Sequence, residues 1–578
     1  MSRRCSVPHI FSAGASLAAH KLAVDLGGPV RRLNMNAGKP VIFHDMRLGF
    51  TAGDKAKAEG LIAGDFAYAG QSLNIGADGD PWTLAVPSER FAKWLHSFSW
   101  LGDLAASRNK KAFLRARLLA DKWVQVYGQW NDFAWTPDSL AQRVLYWGAY
   151  WSPLLSGDNM SEAAQLRRNC FMRQLKRLRK TYRRTSPGLA RLRASAALVI
   201  GGLRLKEKSE RYFEQGLDWL DDEIELQILP DGGHISRSPE QSLDALEILL
   251  MVDNLLQSRG VQGSRALSRA IDRLAPVISF FTSANGALFC FNGGGEGDAR
   301  RIKALMKAAP KPAKPFAYCP HTGYQRIAHG GSVLIIDTGS TPPRPFDTQA
   351  HLAPLAFELS TELGRLVVNC GWSEQQALHF REFMRSTAAH STLILDDKSA
   401  GRLLANGWKT KILGYAVDIE AGPVSAKRKE QDAGAWLEST HEGYRASIGL
   451  THRRRLYMSP EGDDIRGEDS LFVPLGAEHV SRDQKPFKIR FHFHPDVRVS
   501  LSQDQKSALL VHGGKAGWRF RTDGGPLSVE DSIYLGQGEV PIKAQQIVIS
   551  GNAYCDGDGE TRSNRVRWSL RKLEARKT

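Results

Sequence analysis

Gly293-Gly294-Gly295-Glu296-Gly297, followed a few residues later by Pro310-Lys311-Pro312-Ala313-Lys314-Pro315, marks the place where this 578-residue chain changes its period. Neither helix nor sheet continues through such a density of Gly and Pro. Upstream, from about Trp82 to Lys307, apolar residues recur at helical spacing, and Trp gathers at Trp94, Trp100, Trp123, Trp130, Trp135, Trp147 and Trp151. Helices are predicted over 116–130, 140–155, 189–205, 211–228, 242–257 and 268–281, joined by short turn-rich connections. Consecutive hairpins of this kind build a bundle, a solenoid or a toroid, and the lack of a fixed repeat length argues against a regular solenoid. Downstream the period becomes two. Strands are predicted over 332–337, 356–360, 365–369, 391–395, 444–449, 488–494, 507–512, 517–521 and 545–550. Many strands without intervening helices imply antiparallel sheets stacked as a sandwich. The expected organisation is an N-terminal extension over 1–80, a helical domain over 81–310 and a β-domain over 311–578.

Bulk properties exclude several classes. The composition, 42% hydrophobic and 24% charged, is that of a globular protein, and no run of about 18 apolar residues is present to span a bilayer. The six cysteines, Cys5, Cys170, Cys290, Cys319, Cys370 and Cys555, are far apart and form no CxxC pair, so they read as small buried hydrophobes rather than a zinc ribbon or a disulfide framework. Arg3 and Arg4 open the chain, but 10–24 is broken by His20 and Lys21 and makes a poor secretory core. The formal charge of +17 favours polyanions, whether nucleic acid, anionic lipid or acidic glycan. Much of it is local: eleven Lys or Arg and no acid lie between Arg167 and Arg193. That stretch is either a solvated basic helix face or a substrate-facing groove. Neither a P-loop, a dinucleotide fingerprint nor a nucleophile elbow occurs.

A series of motifs stands in order along the chain. Trp135-Thr136-Pro137 precedes Gln142-Arg143-Val144-Leu145-Tyr146-Trp147; Pro230-Asp231-Gly232-Gly233-His234-Ile235-Ser236-Arg237-Ser238-Pro239 forms an Asp-Gly loop. In the β-half, His351 to Leu359 and Val367-Val368-Asn369-Cys370-Gly371 precede Arg385-Ser386-Thr387-Ala388-Ala389-His390-Ser391-Thr392. Together, over roughly 80–400, these resemble the heparinase II/III polysaccharide lyases: an (α/α) toroid of helical hairpins followed by an antiparallel β-sandwich. The resemblance implies β-elimination on a uronate-containing acidic polysaccharide in the cleft between the halves. Such chemistry neutralises the uronate carboxylate, removes the C5 proton and protonates the departing O4, by positioned acid/base groups rather than a carboxylate pair. It also implies a cell-envelope or periplasmic location, with a cytoplasmic one as the alternative given the N-terminus.

The chain departs from that pattern at the acid/base positions. The neutralising Asn or His falls near Gly188; Glu240, Gln241 and Ser242 stand where the family places Tyr then His; Gln349-Ala350-His351 keeps one of two histidines. The remaining catalytic candidates are His234, Arg237, His351 and His390, with Arg191, Gln241, Gln349 and Arg385 as substrate-binding candidates. Arg191 lies near Gly188, and a guanidinium pairs bidentately with carboxylates. Tyr324 is the nearest replacement phenol by chain position, although a strand Tyr packing its ring is the simpler reading. By the same resemblance His351, Asn369 and His390 would hold a zinc ion, with Asn a poorer ligand than Asp. His234 reads equally as a residue bonded to its own turn, and His390 as a buried histidine satisfied by backbone. His492 and His494 share a strand face and read as packing, and Asp463, Asp464, Glu468 and Asp469 read as turn acids. Three functions remain in play: a lyase, a non-catalytic glycan-binding or envelope protein on the same fold, and, on charge alone, a nucleic-acid binder.

Overall fold

The structure, a computed structural model, describes residues 41–156, 161–207, 209–310, 315–474, 483–514, 516–554 and 564–573. Cys5, Cys555, the stretch read for export at the N-terminus and residues 311–314 of the Pro/Lys transition lie outside the described residues. Helices α1 (Lys55–Ala63), α2 (Glu89–Ser97), α3 (Leu101–Ser107) and α4 (Lys110–Tyr127) lead into three hairpins. These comprise α5 (Pro137–Tyr150), α6 (Glu162–Thr181), α7 (Leu189–Arg204), α8 (Glu210–Gln227), α9 (Pro239–Ser258) and α10 (Arg265–Phe281). Helix α11 (Ala299–Ala308) closes the helical half.

Burial sorts the hairpins into two layers. Helix α7 is buried on all sides from Ala194 to Arg204, and α5 and α9 are buried over most of their length, whereas α6, α8 and α10 bury one face each. Inner α7 packs against α5, α8 and α9, and α9 against α10, which is the hairpin arrangement of an (α/α) toroid. Two glycines permit the closest approach: a Cβ at Gly202 would fall 2.6 Å from Phe213 N, and one at Gly216 2.8 Å from Val199 N. The Trp-rich pattern is core, with Trp100, Trp123, Trp135 and Trp147 fully buried. Residues before Trp82 pack on this half, with His44 N donating to Arg204 O at 2.7 Å and Phe43 set edge-on against Trp151.

The β-half is built on two large antiparallel sheets. A nine-stranded sheet runs from Leu527–Tyr534 at one edge to Tyr318–Cys319 at the other, and an eight-stranded sheet from Val424–Gln431 to Val497–Leu501. Between them Phe357 stacks on Trp568 at 5.6 Å, beside Phe491 and Phe520. Two expectations are corrected. Residues 444–449 form a helical turn, Arg445–Ile448, because Tyr444 and Ile448, one turn apart, both face inward and Gly449 (φ 88°) ends the turn. Asp464 to Asp469 are not turn acids but part of strand Asp464–Phe472, where Asp469 points into the core.

The basic run also resolves. Arg167 and Arg168 are buried, Arg167 against Asp121; Arg191 and Arg193 face Glu223 and Asp244; Lys176, Lys180, Arg183 and Arg184 are exposed along and just beyond α6.

Candidate functional site

The turn between α8 and α9 is forced into shape by its glycines. Gly232 (φ 93°) passes so close to Arg273 that a Cβ would lie 2.2 Å from its carbonyl oxygen, and Leu229 N donates to Gly233 O at 2.9 Å. Ser238 then caps α9, accepting from Gln241 N, with Pro239 at the first helical position. His234 sits on this turn, fully buried. Ser236 N donates to its Nδ1 at 3.1 Å, which puts the ring proton on Nε2, 3.0 Å from Gln227 Oε1. Burial pushes its pKa down to about 3, so it is neutral at ordinary pH.

Arg237, in the left-handed region at φ 63°, reaches across to the β-half. Its guanidinium donates to Thr322 O at 2.7 Å, Ser340 O at 2.9 Å and Gly323 O at 3.2 Å, pairs with Asp337, and lies over the Tyr324 ring. Tyr324 is buried, with its hydroxyl donating to Arg237 O at 2.8 Å and accepting from Asn292 Nδ2 at 2.7 Å. These two residues clamp toroid to sandwich.

On the other side of the interface His351 and His390 stand together. Gly293 N donates to His351 Nε2 at 3.0 Å, so the proton of His351 is on Nδ1, 2.8 Å from His390 Nε2. His390 therefore carries its own proton on Nδ1, and donates it to Ser386 O at 2.7 Å. One polarised chain thus uses every ring nitrogen of the pair. Burial lowers both, His390 to about 4. The glycine cluster at the change of period makes this possible: at Gly293 (φ 86°) a Cβ would lie 2.6 Å from Gln349 Cβ, so only glycine lets its N–H reach the imidazole.

The other candidates divide. Gln241 Nε2 donates to Gln349 Oε1 at 2.7 Å, joining the two halves by an amide pair. Arg385 is buried and spends its guanidinium on Ala350 O, Tyr415 O and Asp347 O, at 2.8, 2.6 and 3.0 Å, so it braces the His351 segment from beneath. Arg191 donates to Thr185 O at 3.0 Å and faces Glu223, on the toroid side near Gly188. Asn369 is buried beneath the histidines, its Oδ1 accepting from Ser391 N at 3.1 Å and its Nδ2 donating to Cys290 O at 3.4 Å. His351, Asn369 and His390 therefore do not fit a zinc ion: no ring nitrogen offers a lone pair and the amide is turned to the backbone, and among the described residues no three His, Cys, Asp or Glu converge as ligands. His492 is likewise committed, to Ser532 Oγ at 2.8 Å and Ala388 O at 3.1 Å.

Sequence reasoning missed Tyr415. Its ring, with Arg381 5.2 Å above it, lines a cavity of about 90 Å³ beside Gln349, together with Trp372 and Glu382. No motif marks it, because the segment that carries it has no regular period.

A helical ring over a two-sheet sandwich, with Arg237 of the 230–239 turn set on Thr322, Gly323 and Ser340 and His351 set on Gly293 where the halves join, is the architecture of one class, and this chain belongs to the heparinase II/III-like family: the model described as "Heparinase II/III-like, C-terminal" matches residues 311–569. Over almost its whole length the chain is similar to "FtsZ-localized protein C" of Caulobacter vibrioides (strain NA1000 / CB15N), 36% identical over 525 residues, or 90% of this chain and 88% of that relative. Among solved structures it is similar to Heparinase III, with a TM-score of 0.67 and 14% identity over 99% of this chain and 93% of that one. The heparan sulfate lyase HepC of Pedobacter heparinus aligns with a TM-score of 0.57 and 16% identity, over 98% and 89%. At such identities the likeness shows the fold.

Proposed function

We propose that this chain is a heparinase-fold protein that has set aside elimination chemistry and works by association with FtsZ assemblies. The observation that carries this reading is the occupancy of the imidazoles: His234, His351 and His390 have both ring nitrogens engaged inside the protein, and beside them Gln241 and Gln349 are spent on each other as an amide pair. A general base has to present a free lone pair to the proton it removes, and none of these three does. The identity shared with a relative named for its position at FtsZ, over nine-tenths of the chain, supports the partner. In this reading the Asp-Gly loop is retained because it holds the two halves together, and the 385–392 run because it braces the segment that carries His351. Among the described residues no helix is long and apolar enough to cross a membrane.

The second reading is a lyase acting on a uronate-containing polysaccharide in the cell envelope. The cavity beside Gln349 favours it, since Tyr415 supplies a phenol and Arg381 a cation, and the net charge of +17 suits a polyanion. Its chemistry runs through Tyr415, because Tyr324 is sealed in the core.

Pelleting of the full chain with FtsZ polymers from the same cell separates partner from bystander. The chain is expected in the pellet with polymer and in the supernatant without it. Folded protein that stays in the supernatant at every polymer concentration overturns the association.

A further inference from the structure

Outer helices α6 and α8 lie side by side and carry opposite charge. Arg179 Nη1 donates to Gln215 Oε1 at 2.9 Å, and the Tyr182 ring stacks on Trp219 at 4.0 Å, so the two helices run parallel with their heights fixed. That registration sets Lys180 at a height between Glu214 and Asp218, and Arg183 between Asp218 and Asp222. On one side the exposed charged residues are Lys176, Lys180, Arg183 and Arg184; on the other they are Glu210, Glu214, Asp218, Asp222 and Glu225, with Arg211 at the N-terminal end of the acids. The acids recur every three or four residues and so form one stripe. Other ion pairs of this region run elsewhere, Arg167 to Asp121, Arg191 to Glu223 and Arg193 to Asp244, and among the described residues none joins Lys180, Arg183 or Arg184 to the acidic stripe. The carboxyl of Asp221, at the margin of the acidic stripe, is raised first by burial and then by repulsion from Asp218, Glu225 and Asp222.

We propose that this face is where a second copy of the chain docks, basic stripe on acidic stripe. The symmetry follows from the layout. A two-fold axis running along the seam between the helices, past Tyr182 and Trp219, lays each basic stripe on the partner's acidic one and keeps heights matched. An in-plane axis perpendicular to the helices would place like on like. Charge complementarity thus selects one isologous dimer out of the two in-plane choices. A lone basic stripe would suit any polyanion, but an acidic stripe immediately beside it repels nucleic acid and anionic lipid. A surface that carries both signs in register is matched by itself.

The test is charge exchange in the full chain, read by sedimentation equilibrium. Wild type is expected as a dimer at low ionic strength that dissociates at high salt. Lys180→Glu with Arg183→Glu, or Glu214→Lys with Asp218→Lys, each weakens association by about tenfold or more. The chain with all four changes regains the dimer, and an equimolar mixture of the two double variants forms a heterodimer. Helical content by circular dichroism shows that each variant is folded. A wild type that is monomeric at every concentration and salt overturns the proposal, as does a dimer indifferent to either reversal, or four changes that fail to restore it while the fold is intact.

Discussion

Acidification from pH 7 to pH 5 removes several kcal/mol of the folded state's stability. The cause is a set of histidines held neutral by burial. His96, His234 and His492 are pushed down to about 3, and His390 to about 4, from an ordinary value of 6.5, in each case chiefly by loss of solvent. The unfolded chain takes up a proton at each near 6.5, while the folded chain does not until pH 3 to 4. Between those limits the unfolded state binds more protons, so stability is fully present above 6.5 and falls as the pH drops. Each imidazole contributes a slope of about 1.4 kcal/mol per pH unit across that window. Thermal unfolding midpoints measured from pH 8 to pH 5 should be level at first and then decline steeply. A midpoint unchanged down to pH 5 would mean that these rings are solvated.

Asp469→Ala is expected to cost about 3–5 kcal/mol, the usual result of stranding a buried charge. Asp469 is fully enclosed and held ionised by Arg454, which donates from Nε at 2.8 Å and Nη2 at 3.1 Å; Trp568 Nε1 donates at 2.9 Å and His452 Nε2 at 2.7 Å. His452 in turn accepts from His441 Nε2 at 3.1 Å, whose Nδ1 accepts from Gly443 N, so the order of protons in this chain is fixed by its two ends. Arg454 also donates to Leu355 O and Ser391 O, at 2.9 and 2.8 Å, and thereby supports the segments that carry His351 and His390. Adding Arg454→Met should recover part of the loss, because the unpaired cation goes with it. Denaturant unfolding of the single and double variants decides the matter; strictly additive losses would show that the pair carries no coupling.

The two-part architecture was legible because each half has one dominant period, and the Gly and Pro density between them is a local signal. The Arg385–Thr392 run was legible as a motif, but its role was not: that Arg385 braces backbone carbonyls depends on where Asp347, Ala350 and Tyr415 arrive in space. The strand Val424–Gln431 escaped notice because an edge strand exposed on both faces has no apolar alternation to read. Asp464–Phe472 escaped for the opposite reason, since Asp469 is a charge facing inward and inverts the expected pattern. Most tellingly, the fate of the histidines turns on hydrogen-bond partners remote in sequence. His351 looks available beside Gln349 until Gly293, on a different segment, is found donating to its Nε2. Residue types alone do not disclose which lone pairs are free.

The proposal that elimination chemistry has been set aside is tested most directly by ultraviolet absorbance during incubation of the full, folded chain with heparan-type, alginate and bacterial uronate glycans. No unsaturated uronate should accumulate above the level of a heat-denatured control. Product that forms with wild type and disappears with Tyr415→Phe would contradict this and would place a working acid/base group in the cavity beside Gln349.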